Sequence, residues 1–349
     1  APRAGIPVRV NTALGVQSQG ADAINNTTGA GVLLTNNTGA TVDFTGGLGI
    51  TTATGTGFVA SGGGTISTTG SGNTITAGNA AGLTLNGVTV AAGGMTFDQI
   101  TAAPAFGTAV AAVNLNLAGA LNIRGLDLDA ANAAVVFNNL TGTGGVNLTG
   151  TLDIDSGIGL TFAGTLGTIN VANSAGSSLT IDGAQQGIRF VNVTSGTVNI
   201  ASAAGSAAVN GSTVFAIGTS GDTGGTLNYG GTINSAQGAI LSTANSIADV
   251  TLSGAITSTT AGTAFDFANA DGNYTISGNV NHTGGAGVAI DAASAGGIFF
   301  SGASKTFNTG ANAAIITAGT GSLSFGGGGL GITTTSGAGI SLIKPFLLA

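Results

Sequence analysis

A short phrase, Gly-x-(Ala/Gly)-apolar-x-apolar, returns along the chain: GAGVLL at Gly29, GTGFVA at Gly55, GTAVAA at Gly107, GIGLTF at Gly157, GTAFDF at Gly262, GAGVAI at Gly285 and GAGISL at Gly337. Taking the first apolar residue of each copy, and of the looser copies between them, gives an anchor series. It runs Val8, Val32, Phe58, Leu83, Val110, Val135, Leu160, Ile188, Val214, Ile240, Phe265, Val288, Ile315 and Ile340. The span from Val8 to Ile340 over thirteen intervals gives about 25.5 residues per unit, and single intervals stay between 23 and 28. A fixed period of this length is the signature of a stacked repeat architecture.

Within a unit, short alternating runs such as VLL from Val32, TVDF from Thr41 and LGITT from Leu48 are separated by Gly, Asn and Ser clusters. Three such runs per unit read as three strands. The reading is an all-β chain: a single-stranded parallel β-helix, or β-solenoid, of about 13–14 coils of about 25–26 residues. Each coil stacks on the last at about 4.8 Å. One continuous domain over residues 1–349 is expected, closing on an apolar tail over 343–349.

Composition agrees. The 349 residues include 65 Gly, all thirteen acids are Asp, and Lys, Arg, Gln and Met are scarce, so long helices are disfavoured. A hydrophobic fraction of 42% is too high for a chain that buries nothing.

Two positions after the anchor a second inward column is expected: Leu34, Leu85, Phe137, Phe162, Phe190, Phe267, Ile290 and Leu342. Phe137, Phe162 and Phe190 either stack ring on ring or simply fill space. Coils with Ala60, Ala112 and Ala216 at this place must repack. Asn and Thr of the turns, such as Asn36, Asn37, Asn138, Asn139, Thr51 and Thr52, satisfy local backbone and can form amide ladders between coils.

The period also phases the acids. LDLD from Leu126 and LDID from Leu152 put Asp127 over Asp153 and Asp129 over Asp155, with Asp182 one period later. Asp129, Asp155 and Asp182 have two readings: a Ca²⁺ site of hard oxygen ligands, or a solvated outer face, the ordinary outcome at a strand end. The calcium-binding Gly-Gly-x-Gly-x-Asp nonapeptide is absent.

Other chemistry is sparse. His282, the single histidine, falls by phase at a turn and reads as a surface residue. Arg124, three residues before Asp127, reads as a surface partner, and FGGGGLG from Phe325 lacks the Lys of a phosphate loop. A net charge of −7 with only six Lys and Arg argues against a nucleic-acid partner. No window is apolar enough for a spanning helix, and two Tyr without Trp cannot build the girdles of a membrane barrel. An enzyme is not expected, and no resident cofactor beyond the Ca²⁺ alternative.

Phrases such as TGTGFVASGGGTISTTGSGNTI and AGTAFDFANADGNYTISGNV resemble the Gly-Ala-Thr-Asn-rich strand repeats of large bacterial surface proteins: autotransporter passengers and filamentous-haemagglutinin-like adhesins. The resemblance covers nearly the whole chain. It implies export to the cell surface and a structural or adhesive role. Three functions follow as expectations: a surface fibre built by head-to-tail stacking, an adhesin holding glycans or cells on its lateral face, and, with least support, a polysaccharide-active enzyme.

Both ends of an uncapped β-solenoid offer strand edges and an apolar cross-section. The chain opens with GIPVRV at Gly5 and closes with GISLIKPFLLA from Gly337, close to a whole number of coils. The expected partner is therefore another copy, met through Ile6, Val8 and Val10 at one end and Ile340, Leu342, Phe346, Leu347 and Leu348 at the other.

Overall fold

The computed structural model describes Val8–Val10 and Val16–Ser18 as backbone, and residues 22–343 with their side chains. Ile6 and the tail residues Phe346, Leu347 and Leu348 lie outside the described residues. The described residues hold thirty-six strands and no helix. The chain divides into two compact units, Ala1–Leu179 and Thr180–Ala349. Each is a parallel β-solenoid, and the two together hold about thirteen turns.

In the first unit the anchor ladder runs Val8, Val32, Phe58, Leu83, Val110, Val135, Leu160, each Cα paired in parallel with the next. A second ladder carries Met95, Leu121, Val146 and Ile169, and a third carries Ile24, Ile50, Ile75, Ile100, Leu126 and Leu152. The three inward faces meet in a core where Val32, Phe58, Ile75, Leu121 and Ile100 are fully buried. The column two residues past the anchor is inward as expected, and Phe137 stacks on Phe162 with ring centroids 6.0 Å apart and planes at 19°. Such an offset pair contributes beyond its buried area.

The anchor ladder of the second unit runs Ile188, Ile217, Ile240, Phe265, Val288, Ile315, Ile340. Val214 is therefore not an anchor: the ladder takes Ile217, three residues later, and Val214 is 48% exposed outside the strand Phe215–Ser220. The cause is a long coil. Side chains and backbone one coil apart here differ by 29 residues, as in the bond from Val193 N to Asp222, outside the 23–28 expected. With the register corrected, Thr219 rather than Ala216 is the residue two past the anchor, and it points into the core at 2% exposure.

The repeating phrase has a steric origin. The residue before each anchor sits at the corner where the anchor strand meets the inward face of the third ladder. A Cβ on Gly31 would run into Ile50 Cγ2, one on Gly57 into Ile75 Cγ2, and one on Gly82 into Ile100 Cγ2. The corner admits a hydrogen or at most a methyl, and Ala109, Ala134, Ala239, Ala264 and Ala314 fill it at 0% exposure.

The turn after the anchor strand is equally specific. In the first unit its left-handed position holds Asn36 (φ 56), Gly62 (φ 73), Gly87 (φ 66), Asn114 (φ 53), Asn139 (φ 53) and Gly164 (φ 66), the residue types that tolerate positive φ. At two of the Gly positions the Asn one coil earlier also takes up the space: a Cβ on Gly62 or Gly164 would meet the Oδ1 of Asn36 or Asn139.

Amide ladders form, on a strand as well as at this turn. Asn147 Nδ2 donates to Asn122 Oδ1 at 2.9 Å, and Asn170 Nδ2 donates to Asn147 Oδ1 at 3.1 Å. Asn139 Nδ2 donates to Asn114 Oδ1 at 3.1 Å. Asn147→Ala removes the middle of the first ladder and is expected to cost about 1–2 kcal/mol, read from the midpoint of urea unfolding.

Candidate functional site

Three places carry unpaired or polar chemistry, and each arises from the coil geometry. The first is the acid columns of the first unit. Asp127 pairs in register with Asp153, and Asp129 with Asp155, as the period requires. Asp182 lies in the second unit, where its Oδ1 accepts from Asn210 Nδ2 at 2.8 Å. Among the described residues no group of three or more Asp or His side chains converges in a way that could hold a metal ion. Arg124 is a surface partner, of Asp98 one coil earlier rather than of Asp127, with Nη1 2.9 Å from Oδ1 and 60% side-chain exposure. An exposed pair of this kind is worth well under about 1 kcal/mol.

The second place is the last described coil. Ile340 pairs with Ile315, Leu342 with Thr317 and Leu330 with Lys305, each strand bonded to the coil before it. One coil inward these positions are sealed, with Ile315 and Lys305 at 0% and Thr317 at 1% exposure. On the last coil Leu330 is 37%, Ile340 41% and Leu342 50% exposed, and Ile343 beside them is 65% exposed. On the last described coil, then, side chains of the core column are more exposed than their counterparts one coil inward.

The third place is the second unit, whose interior is more polar than its sequence suggests. His282 is not on the surface: the third ladder pairs Ser258 with His282 and His282 with Phe307, and the ring is fully buried. Its Nε2 donates to the Gly285 carbonyl at 3.0 Å, while Nδ1 has no partner. Lys305 is also fully inside, with Nζ donating to the carbonyls of Gly302 and Gly326 at 2.6 Å each. Two coils apart, Thr219 and Tyr274 meet, their hydroxyls 2.9 Å apart, and Ser242 Oγ lies 2.7 Å from the same Tyr274 hydroxyl.

Close to this network Asp222 is fully buried. Its carboxylate accepts from Val193 N at 2.8 Å, Ser220 N at 3.1 Å and Ser246 Oγ at 2.8 Å. Loss of solvation outweighs these donors and lifts its pKa to about 6. Asp266, half-buried on the outer face, is also raised, by burial first and by repulsion from Asp291 second. Asp291 goes the other way: burial opposes its charge, but the Ser294 hydroxyl and the N–H groups of Asn269, Ala293 and Ser294 outweigh that and lower its pKa.

The outer face of the same coils holds a groove. A cavity of about 160 Å³ is lined by Gln186, Arg189, Phe215, Ser220, Leu241 and Thr243 among others. It adjoins a second hollow of about 180 Å³ that shares Phe215 and Leu241 and reaches Asp266. Phe215 closes its floor by lying across Gly218, where any Cβ would collide with the ring. Gln186 Oε1 is enclosed and has no hydrogen-bond partner.

None of this third group is visible in the repeat phrase, because polar residues at inward positions look like turn residues until the register is known. Comparison with protein-family models, with curated proteins and with solved structures returned no match for this chain.

Proposed function

We propose that this chain is a structural element without catalytic activity: an exported β-solenoid that builds or extends a cell-surface fibre by stacking coil on coil, head to tail, with further copies. The observation that carries this reading is the ladder itself: the described strands of each unit bond in parallel to those one coil away, so one coil is already a template for the next. A parallel strand edge with apolar side chains beside it accepts another parallel strand at low cost, which is the contact a head-to-tail stack needs. The resemblance to bacterial surface repeats supports export and the cell surface, and a chain without Cys is compatible with an oxidising compartment.

The test is assembly as a function of concentration, by light scattering on a sizing column and by electron microscopy. The intact chain is expected to form end-to-end oligomers of one width and several lengths. The double variant Ile340→Lys, Leu342→Lys, which puts two like charges on the last described coil, is expected to stay as single copies with an unchanged β-sheet circular dichroism spectrum. Monodisperse single copies of the unaltered chain at its highest soluble concentration would overturn the reading.

A further inference from the structure

We propose that the groove between Gln186 and Arg189 on the outer face of the second unit is a binding site for a carboxylate-bearing sugar. Four features of the groove select that class. Arg189 lines the cavity and has no ion-pair partner among the described residues. An unpaired guanidinium presents a planar fork of donors that matches a carboxylate in two parallel hydrogen bonds.

Gln186, three residues before Arg189 on the same strand, has its Oε1 enclosed without a donor. An enclosed acceptor rewards a group that brings an O–H or N–H with it, so a ligand that carries a donor as well as an anion is favoured. The Ser220 hydroxyl accepts from Thr243 Oγ1 at 3.1 Å and keeps its own proton to donate. The wall between these polar groups is apolar, made by Val191, Leu241 and the Phe215 ring.

A space of about 160 Å³ takes one six-membered ring, since cavities of roughly 150 Å³ hold benzene. An anion, hydroxyl groups and one ring with an apolar face together describe a hexuronic acid. The outer column also sets a limit. Arg189 pairs with Gly218, Gly218 with Leu241 and Leu241 with Asp266, so a carboxylate stands three coils along from the guanidinium. A polyanion running in that direction meets like charge, and a single acidic residue fits better than a continuous acidic polymer.

The site is independent of axial stacking, and binding is read on the unassembled double variant as well as on the intact chain. The experiment is a calorimetric or NMR titration with three probes: glucuronic acid, glucose and acetate. Glucuronic acid is expected to saturate, with glucose and acetate each at least about tenfold weaker, because one lacks the anion and the other the ring and hydroxyls.

Arg189→Gln is expected to weaken glucuronic acid at least about tenfold while the melting curve stays in place. Gln186→Leu is expected to weaken glucuronic acid and leave acetate unchanged, which ties the loss to the hydroxyl donor rather than to the fold. Equal binding of glucose, equal binding of acetate, indifference to Arg189→Gln, or no saturation by glucuronic acid would each overturn the proposal.

Discussion

Gly57→Val is expected to destabilise the first unit by about 3 kcal/mol or more, enough to bring its unfolding to much lower urea concentration. The added Cβ alone runs into Ile75 Cγ2 and the Gly82 carbonyl, and the branched methyls have no empty volume to enter. Neither neighbour can yield: Ile75 is fully buried on the inward face of the third ladder, and Gly82 N–H to Ala109 O at 2.9 Å holds the next coil in register. The control is Gly329→Val. That position has ordinary φ and open space around its ideal Cβ, so a change within about 0.5 kcal/mol is expected. A Gly57→Val chain with the unaltered urea midpoint would show that the corner is not tight and that the repeat phrase has another origin.

The second large effect is a dependence of stability on pH set by Asp222. Its folded pKa of about 6 lies above the value of 3.8 expected in the unfolded chain, so the folded state holds the proton more tightly. Stability from this group is therefore greatest below about pH 4, falls as the pH rises through 4 to 6, and is flat above. At about 1.4 kcal/mol per pKa unit the loss across that window is about 2–3 kcal/mol. Asp266, also raised, adds to the same trend, whereas the lowered carboxyl of Asp291 loses its contribution only on the acid side of the usual carboxylate range. Unfolding free energies measured at pH 4.5 and pH 7 are expected to favour the lower pH. In Asp222→Asn, which cannot titrate, the difference is expected to shrink to what the other carboxyls supply. A variant with the same pH slope as the unaltered chain would remove Asp222 as the cause.

Most of the fold could be read from the period alone, because every coil must solve the same steric problem at the same place. Thirteen of the fourteen anchors head the positions that the ladders use, and the error is instructive. Val214 follows a Gly-x-Thr that mimics the phrase, but the residue before it is Thr213, too large for the corner. In the described coils every true anchor from Val32 to Ile340 follows a Gly or Ala, and Ala216-Ile217 obeys that rule where Thr213-Val214 does not. The Asp127–Asp153 and Asp129–Asp155 stacking was legible for the same reason.

What the sequence hid was the inside of the second unit. His282, Lys305, Thr219, Ser242 and Asp222 are residue types found at turns and surfaces, and a period of about 25 residues does not say which of two neighbouring positions faces inward. Only the pleat, fixed by the register, does. The lateral groove was hidden more deeply. It depends on Phe215 folding over Gly218 beside the 29-residue coil, and a single long coil among regular ones carries no phrase of its own.

Because strands bond to partners one coil away, the loop each new pairing must close has nearly the same length throughout a unit. The entropy of closure is then a constant toll rather than one that grows with the chain. Once a first pair of coils exists, growth proceeds by identical steps, so the time to completion should scale with the number of steps and not with the span between distant segments. Such a chain can fold from one direction while the remainder is still unfolded. A cleavage within a unit would shorten it by discrete layers and leave the surviving layers intact.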